Sequence, residues 1–238
     1  MGYFPTTISQ RIPEPLVPPL ENGDCLDQKT FHERYECMPD DIHAELIGGI
    51  VYMSSPQKPP HSKTTHLVSC WLGEYEEKTP GTEVLAGATD IMGVESEPEP
   101  DHCLLIVPEC NGQTSLNEKG YLAGAPELIV ETASTTESRD LHQKKADYER
   151  AGVLEYVVVA LRSRRVFWFT LRSGEFKEVK PGVGGIFRSR VFPGLWLDPD
   201  ALLNLDRRKL LHVLRRGLRS KEHEAFVAKL AARRRRNR

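Results

Sequence analysis

Three apolar runs dominate the chain, at His102 to Val107, Glu127 to Thr132 and Leu154 to Ala160. They have little polar alternation, the pattern of strands covered on both faces. Between the second and third lies a helical pattern, Asp140 to Ala151, with Gly152 placed as its C-terminal cap. Around this strand–helix–strand centre the other elements follow from period and punctuation. Thr30 to Cys37 reads as a short helix with Thr30 as N-cap. Glu45 to Met53 reads as two strands joined at Gly48-Gly49, a dipeptide that accepts positive φ. After a turn at Ser54 to Pro60, His61 to Lys78 carries Leu67, Val68, Trp71, Leu72 and Tyr75 at helical spacing. Short strands are expected at Val84 to Ala88 and near Ile91, with the acidic, proline-containing Glu95 to Pro100 as a loop. Arg165 to Leu171 and Phe176 to Val179 flank a turn at Ser173-Gly174, and Ile186 to Leu197 continues as strand and bend. Asp198-Pro199 opens a helix reaching Leu205, and two further helical patterns follow, Arg207 to Gly217 and Ser220 to Arg236. This order predicts an α/β (mixed α+β) fold, a central mixed sheet with helices on its faces.

Composition narrows the class. At 238 residues, with 39% hydrophobic and 28% charged positions, the chain reads as a soluble globular protein with one main domain. No apolar run approaches the length of a membrane span, and the N-terminus lacks the basic and apolar regions of a signal peptide. Five cysteines, odd in number and without C-x-x-C spacing, point to reduced thiols in the cytoplasm. Residues 1–29 are proline-rich and are expected to be extended or disordered, 30–205 form the domain, and 206–238 form a basic helical tail. That tail holds 13 basic and 3 acidic residues, so its charge is +10 while the rest of the chain carries -12 of the net -2. An acidic body with a basic arm suits a metal-binding protein that meets nucleic acid, and equally a solvated helical tail. There is no Walker motif, Rossmann glycine fingerprint or G-x-S-x-G elbow, so no organic cofactor is expected. Trp71, Trp168 and Trp196 read as core or cover residues.

The chemistry gathers around the apolar runs. Asp101 follows Pro100 at the mouth of the first run. Taken alone it reads as a solvated loop acid. Glu131 ends the apolar part of the second run, and alternation puts it on one face with Glu127 and Ile129. A glutamate there is expected at the sheet's edge, beside a cleft. Two converging carboxylates would hold a hard cation such as Mg²⁺ or Mn²⁺, with water completing the shell. Lys144 and Lys145 are the candidate ammonium groups. With Leu141 and Tyr148 marking the sheet-facing side, ~100° per residue leaves the two lysines on opposite shoulders, and periodicity chooses neither. Glu45, at the start of a strand, is either a further ligand or an ion-pair partner. His61 either touches a phosphate or caps its helix, and Asp140 reads most simply as an N-cap.

Across residues 30–205 the ordered set of Glu45-Leu46-Ile47-Gly48-Gly49, Met53-Ser54-Ser55-Pro56, His61, Pro100-Asp101, Gly124 to Glu131, Arg139 to Lys144, Tyr148, Ala151-Gly152-Val153, Glu155-Tyr156 and Phe192 to Trp196 resembles the Uma2 family of endonucleases. The resemblance implies a restriction-endonuclease-like fold of the PD-(D/E)xK type and a Mg²⁺- or Mn²⁺-dependent endodeoxyribonuclease acting on DNA. It implies Asp101 and Glu131 as catalytic metal ligands, Glu45 as an additional ligand, and His61 as a phosphate contact. It also picks Lys144 over Lys145 as the catalytic lysine, through the pattern D-L-x-x-K-x-x-x-Y. One departure stands out: the wider superfamily places a lysine two residues after the glutamate, and Ala133 occupies that position. A nucleic-acid-binding protein with a decayed nuclease site is therefore one rival reading. An interaction module without a nucleic-acid role is another. Cutting both strands commonly takes two sites, which a homodimer would supply, although no self-complementary patch marks one.

Overall fold

The three apolar runs become neighbouring strands in the middle of one sheet. The computed structural model describes residues 17–39, 41–54 and 56–237; most of the proline-rich lead (1–16) and Ser55 of the turn lie outside them. In chain order the elements are α1 (Gln28–Tyr35), β1 (Ala44–Ile47), β2 (Ile50–Met53), α2 (Pro59–Lys78), β3 (Thr82–Leu85), β4 (Asp90–Ile91), β5 (Ser96–Glu97), β6 (His102–Ile106), β7 (Ser115–Leu116), β8 (Leu122–Ala123) and β9 (Leu128–Ala133). There follow α3 (Glu137–Arg139), a π-helical turn (Asp140–Lys144), α4 (Lys145–Ala151), β10 (Glu155–Ala160), β11 (Arg165–Arg172), β12 (Glu175–Val179), β13 (Phe187–Arg188), β14 (Trp196–Leu197), α5 (Pro199–Leu203), α6 (Arg207–Leu218) and α7 (Lys221–Arg236).

The main sheet has the order β12-β11-β10-β9-β6-β3. Within this sheet, among the described residues, only β9 and β10 pair in parallel, Glu131 opposite Val158. Parallel neighbours need a crossover, and the helical segment from Glu137 to Ala151 supplies it. Gly152 ends that segment with φ 92°, a conformation open to glycine without a Cβ penalty. The alternation of β9 then sorts the core. Leu128 and Val130 face α2, α5, α6 and α7 across one apolar layer, with Trp71, Trp168, Leu210, Leu214 and Leu230. Ile129 faces α4 across the other, with Tyr148, Tyr156 and Val158. The hairpin β1–β2, turned at Gly48 (φ 57°) and Gly49 (φ 78°), joins β5 in a separate small sheet. Leu20 and Phe31 pack on this sheet beside Leu46 and Val51.

Four expectations change. Glu131 is not at the sheet's edge, since β9 lies between β10 and β6. β6 starts at His102, opposite Val130, so Glu131 lies one residue past the end of the β6–β9 ladder. Ser96 and Glu97, expected in a loop, pair with β1, and Glu97 is fully buried. Its charge is met by His32 Nδ1 and Gln28 Nε2, each 2.7 Å away, partners distant in sequence. Asp140 is no N-cap: the helix opens three residues earlier, and Asp140 lies buried in the π turn. Helix α1 is capped by Asp27, whose carboxylate accepts from Thr30 N at 2.7 Å, so Thr30 is inside the first turn.

Candidate active site

The site is built where β6, β9, β1 and the π turn meet. From β9, Glu131 points into the α4 layer. Its Oε1 accepts from Lys144 Nζ (2.8 Å) and Tyr148 Oη (2.8 Å), and its Oε2 accepts from the backbone N of Asp101 (3.4 Å). Asp101, just before β6, has its Oδ2 fixed by Thr132 N at 2.7 Å and approached by His61 Nε2 at 3.5 Å. From β1, Glu45 accepts Lys144 Nζ at 2.6 Å and Glu99 N at 3.1 Å through Oε1, and its Oε2 lies 4.0 Å from Arg139. All five sequence candidates, Glu45, His61, Asp101, Glu131 and Lys144, are thus joined in one network. His61 sits inside the first turn of α2, and Lys58 rather than His61 is the N-cap.

Lys144 and Lys145 part company here. Lys144 is 3% exposed and bridges Glu45 and Glu131. Lys145 is half-buried on the flank, with Nζ 4.9 Å from the centre of the Phe169 ring. The buried stripe of the crossover is Asp140, Lys144 and Tyr148, four residues apart, while Leu141 is only half-buried. That stripe is polar, which is why reading the helix from its apolar positions misplaces its inner face. The π turn belongs to this geometry. Its bonds run one residue longer than an α-helix, and the buried Tyr156 hydroxyl donates to the carbonyl of Asp140 at 3.0 Å. Thr136 Oγ1 donates to Asp140 Oδ2 at 2.6 Å. The sequence reading assigned no site role to the hydroxyls of Tyr148 and Tyr156 or to Arg139. The i, i+4 spacing of Lys144 and Tyr148 is the one signal that groups Tyr148 with the lysine.

The electrostatics are those of a site short of positive charge. Glu45, Asp101, Glu131 and Asp140 face the fixed cations Lys144 and Arg139, with His61 alongside. Burial alone would push the Lys144 ammonium down, but Glu131, Glu45 and Asp140 outweigh it and hold its pKa above the ordinary lysine range. One ammonium cannot neutralise three acids. Burial pushes Glu131 up to about 8, against the pull of Lys144, and Asp101, Asp140 and Glu45 push it the same way. Burial also acts to raise Asp101, but hydrogen bonds from His61 and Thr132 overcome it and leave its carboxyl below the usual range. His61 is raised in return by its bond to Asp101, against burial.

Among the described residues no group of three or more His, Cys, Asp or Glu side chains forms a ready ion cage. The donor set fits a hard cation nonetheless. Among the described residues Asp101 Oδ1 makes no hydrogen bond and Glu131 Oε2 makes only a long one, so each carboxylate keeps one oxygen without a strong partner. Mg²⁺ is commonly bound by one or two carboxylates, with water and substrate phosphate completing its shell.

A family model, Uma2, described as "Putative restriction endonuclease", matches residues 30–200. The chain belongs to the Uma2 family. Among solved structures, this Uma2 chain is similar to one described as a putative nuclease belonging to DUF820 from Anabaena variabilis ATCC 29413, with a TM-score of 0.56 and 14% identity, over 72% of this chain and 96% of that one. At that identity the likeness is one of fold: a mixed sheet flanked by helices. No curated protein matches the chain.

Proposed function

We propose that this Uma2 chain is a divalent-metal-dependent endonuclease that hydrolyses phosphodiester bonds of DNA. One observation carries the reading: Lys144 Nζ is buried between Glu45 and Glu131, and Glu131 in turn accepts from the backbone N of Asp101. A buried ammonium shared by two acids, next to two open carboxylate oxygens, suits a reaction that gathers negative charge on a phosphate. Asp101 and Glu131 would hold Mg²⁺ or Mn²⁺, with Glu45 as a further ligand. Such an ion, when bound, lowers the pKa of its water and offsets charge on the phosphate. Lys144 orients the attacking water and stabilises the developing oxyanion. Tyr148 and Lys144 pin Glu131 Oε1, so that Oε2 faces Asp101. His61, a phosphate contact in this reading, also steadies Asp101.

Ala133 does not favour the decayed-site reading. It is buried against the α4 layer, and the ammonium expected at its position reaches Glu131 from the crossover helix instead. No helix among the described residues is long and apolar enough to cross a membrane, and all five cysteines are free, which fits a reducing cytoplasm. The test is a plasmid-nicking assay with Mg²⁺, with Mn²⁺ and with excess EDTA. Cleavage should need the ion and should vanish in Asp101→Asn and Glu131→Gln. Equal cleavage in EDTA would sink the mechanism.

A further inference from the structure

Trp196 is half-exposed, unlike the fully buried Trp71 and Trp168. It stands on the hairpin β13–β14 directly opposite Arg188, whose guanidinium lies 4.3 Å from the indole centre. From α6, Arg216 approaches the same ring at 6.0 Å. Gly217 lets the helix come this close: a Cβ there would meet Gly194 O at 2.2 Å and the Trp196 ring at 2.7 Å. Arg219, just past the end of α6, and Arg190, two residues beyond Arg188, are also exposed. None of Arg188, Arg190, Arg216 and Arg219 forms an ion pair among the described residues, whereas their neighbour Arg215 is tied to Glu74 at 2.6 Å.

From this arrangement we infer that the Trp196 face is a second contact surface for the sugar–phosphate backbone of duplex DNA, away from the scissile bond. The indole covers one face of the guanidinium, and the N–H donors lie in the guanidinium's own plane and point outward from its edge. That fork matches two phosphate oxygens, and stacking limits the freedom lost when it grips them. Location supports a flanking contact. The hairpin belongs to the α2–α6 layer, whereas Glu131 faces the α4 layer. Ser189 Oγ and Arg190 N bind Glu155, which begins β10, and Glu131 pairs three residues further along that strand, roughly 10 Å away along the sheet.

The inference rests on the endonuclease reading for its choice of DNA, but its test does not need cleavage. Binding of a labelled 30-base-pair duplex is followed by fluorescence anisotropy in EDTA across a salt series. The proteins are wild type, Arg188→Ala/Arg216→Ala, Arg188→Lys and Lys145→Ala. The double variant should bind at least tenfold more weakly at moderate salt. Its slope of log affinity against log salt should be shallower by about 2, from roughly 0.9 for each lost phosphate contact. Arg188→Lys should keep the slope and lose part of the affinity, and Lys145→Ala should match wild type. An unchanged slope in the double variant overturns the inference while leaving the cleavage reading intact. Wild type that binds with the expected slope but never cuts overturns the cleavage reading and leaves the surface standing. Failure of wild type to bind DNA overturns the inference, and binding of an acidic protein in its place would mark this as a protein interface.

Discussion

At the scale of single residues, the two lysines give the sharpest contrast. Lys144 is buried between two carboxylates, and Lys145 rests against a ring at the flank. Lys144→Ala should lower the cleavage rate by about 10²–10³-fold, the usual worth of one such electrostatic contact. Metal binding should survive, because Asp101 and Glu131 remain. Lys145→Ala should change the rate little, and Lys144→Arg should restore it only partly, since a planar guanidinium does not fit where a compact ammonium sits between two acids. A side-by-side time course at one Mg²⁺ concentration decides, and a dead Lys145→Ala beside an active Lys144→Ala would show that the register is wrong. Asp90 supplies a stability test. Both its oxygens are buried without a partner among the described residues, and burial pushes its pKa up to about 8. The folded state therefore holds a proton that the unfolded chain releases near pH 4. Stability from this group is present below about 4 and is lost as pH rises through about 8. Asp90→Asn should flatten that part of the profile and be more stable than wild type at pH 8 and above. Denaturant titrations at pH 5 and pH 8.5 measure it; parallel curves for the two proteins would refute the buried proton.

At the scale of the element, the π turn links sequence to chemistry. Tyr156 comes from β10, the strand that the crossover helix feeds, and its hydroxyl meets the Asp140 carbonyl. Removing it in Tyr156→Phe leaves a buried carbonyl without that donor, a loss of about 1–3 kcal/mol. Because Lys144 ends the same turn, cleavage should fall roughly tenfold or more as well, since small displacements of a catalytic group are expensive in rate. Chemical denaturation and single-turnover cleavage separate the two effects. A stability loss without a rate loss would mean that the turn does not aim Lys144. The hairpin turn and the Gly152 cap were legible beforehand, because positive φ is written into glycine. The π turn was not, because its residues form an ordinary helical pattern and its cause is a hydroxyl from another strand.

At the scale of the whole molecule, the basic tail is also a structural layer. Leu210, Leu214, Phe226 and Leu230 of α6 and α7 are buried in the core cluster shared with α2. Each such side chain contributes about 1.5–3 kcal/mol when fully buried. Truncation after Asp206 should therefore lower the midpoint of thermal unfolding sharply and expose apolar surface that binds a hydrophobic dye. A truncated chain that melts like the full one would show that the tail is only an electrostatic arm. Arg188 lies outside the truncated segment, so its variants test DNA contact without this loss.

The sequence by itself determined the three central strands, their crossover helix, a mixed sheet with helices on its faces, and membership in a family of ordered motifs. These follow from apolar runs, period and glycine positions, which act locally. Only the tertiary structure decided that Glu131 is interior, that Glu97 is buried, and that Asp140, Lys144 and Tyr148 form the inner stripe of the crossover. The reason is common to all three. Apolar periodicity reports where oil meets oil, but a buried charge is set by its partners. Those partners, Glu45 for Lys144 and His32 for Glu97, come from elements far away along the chain.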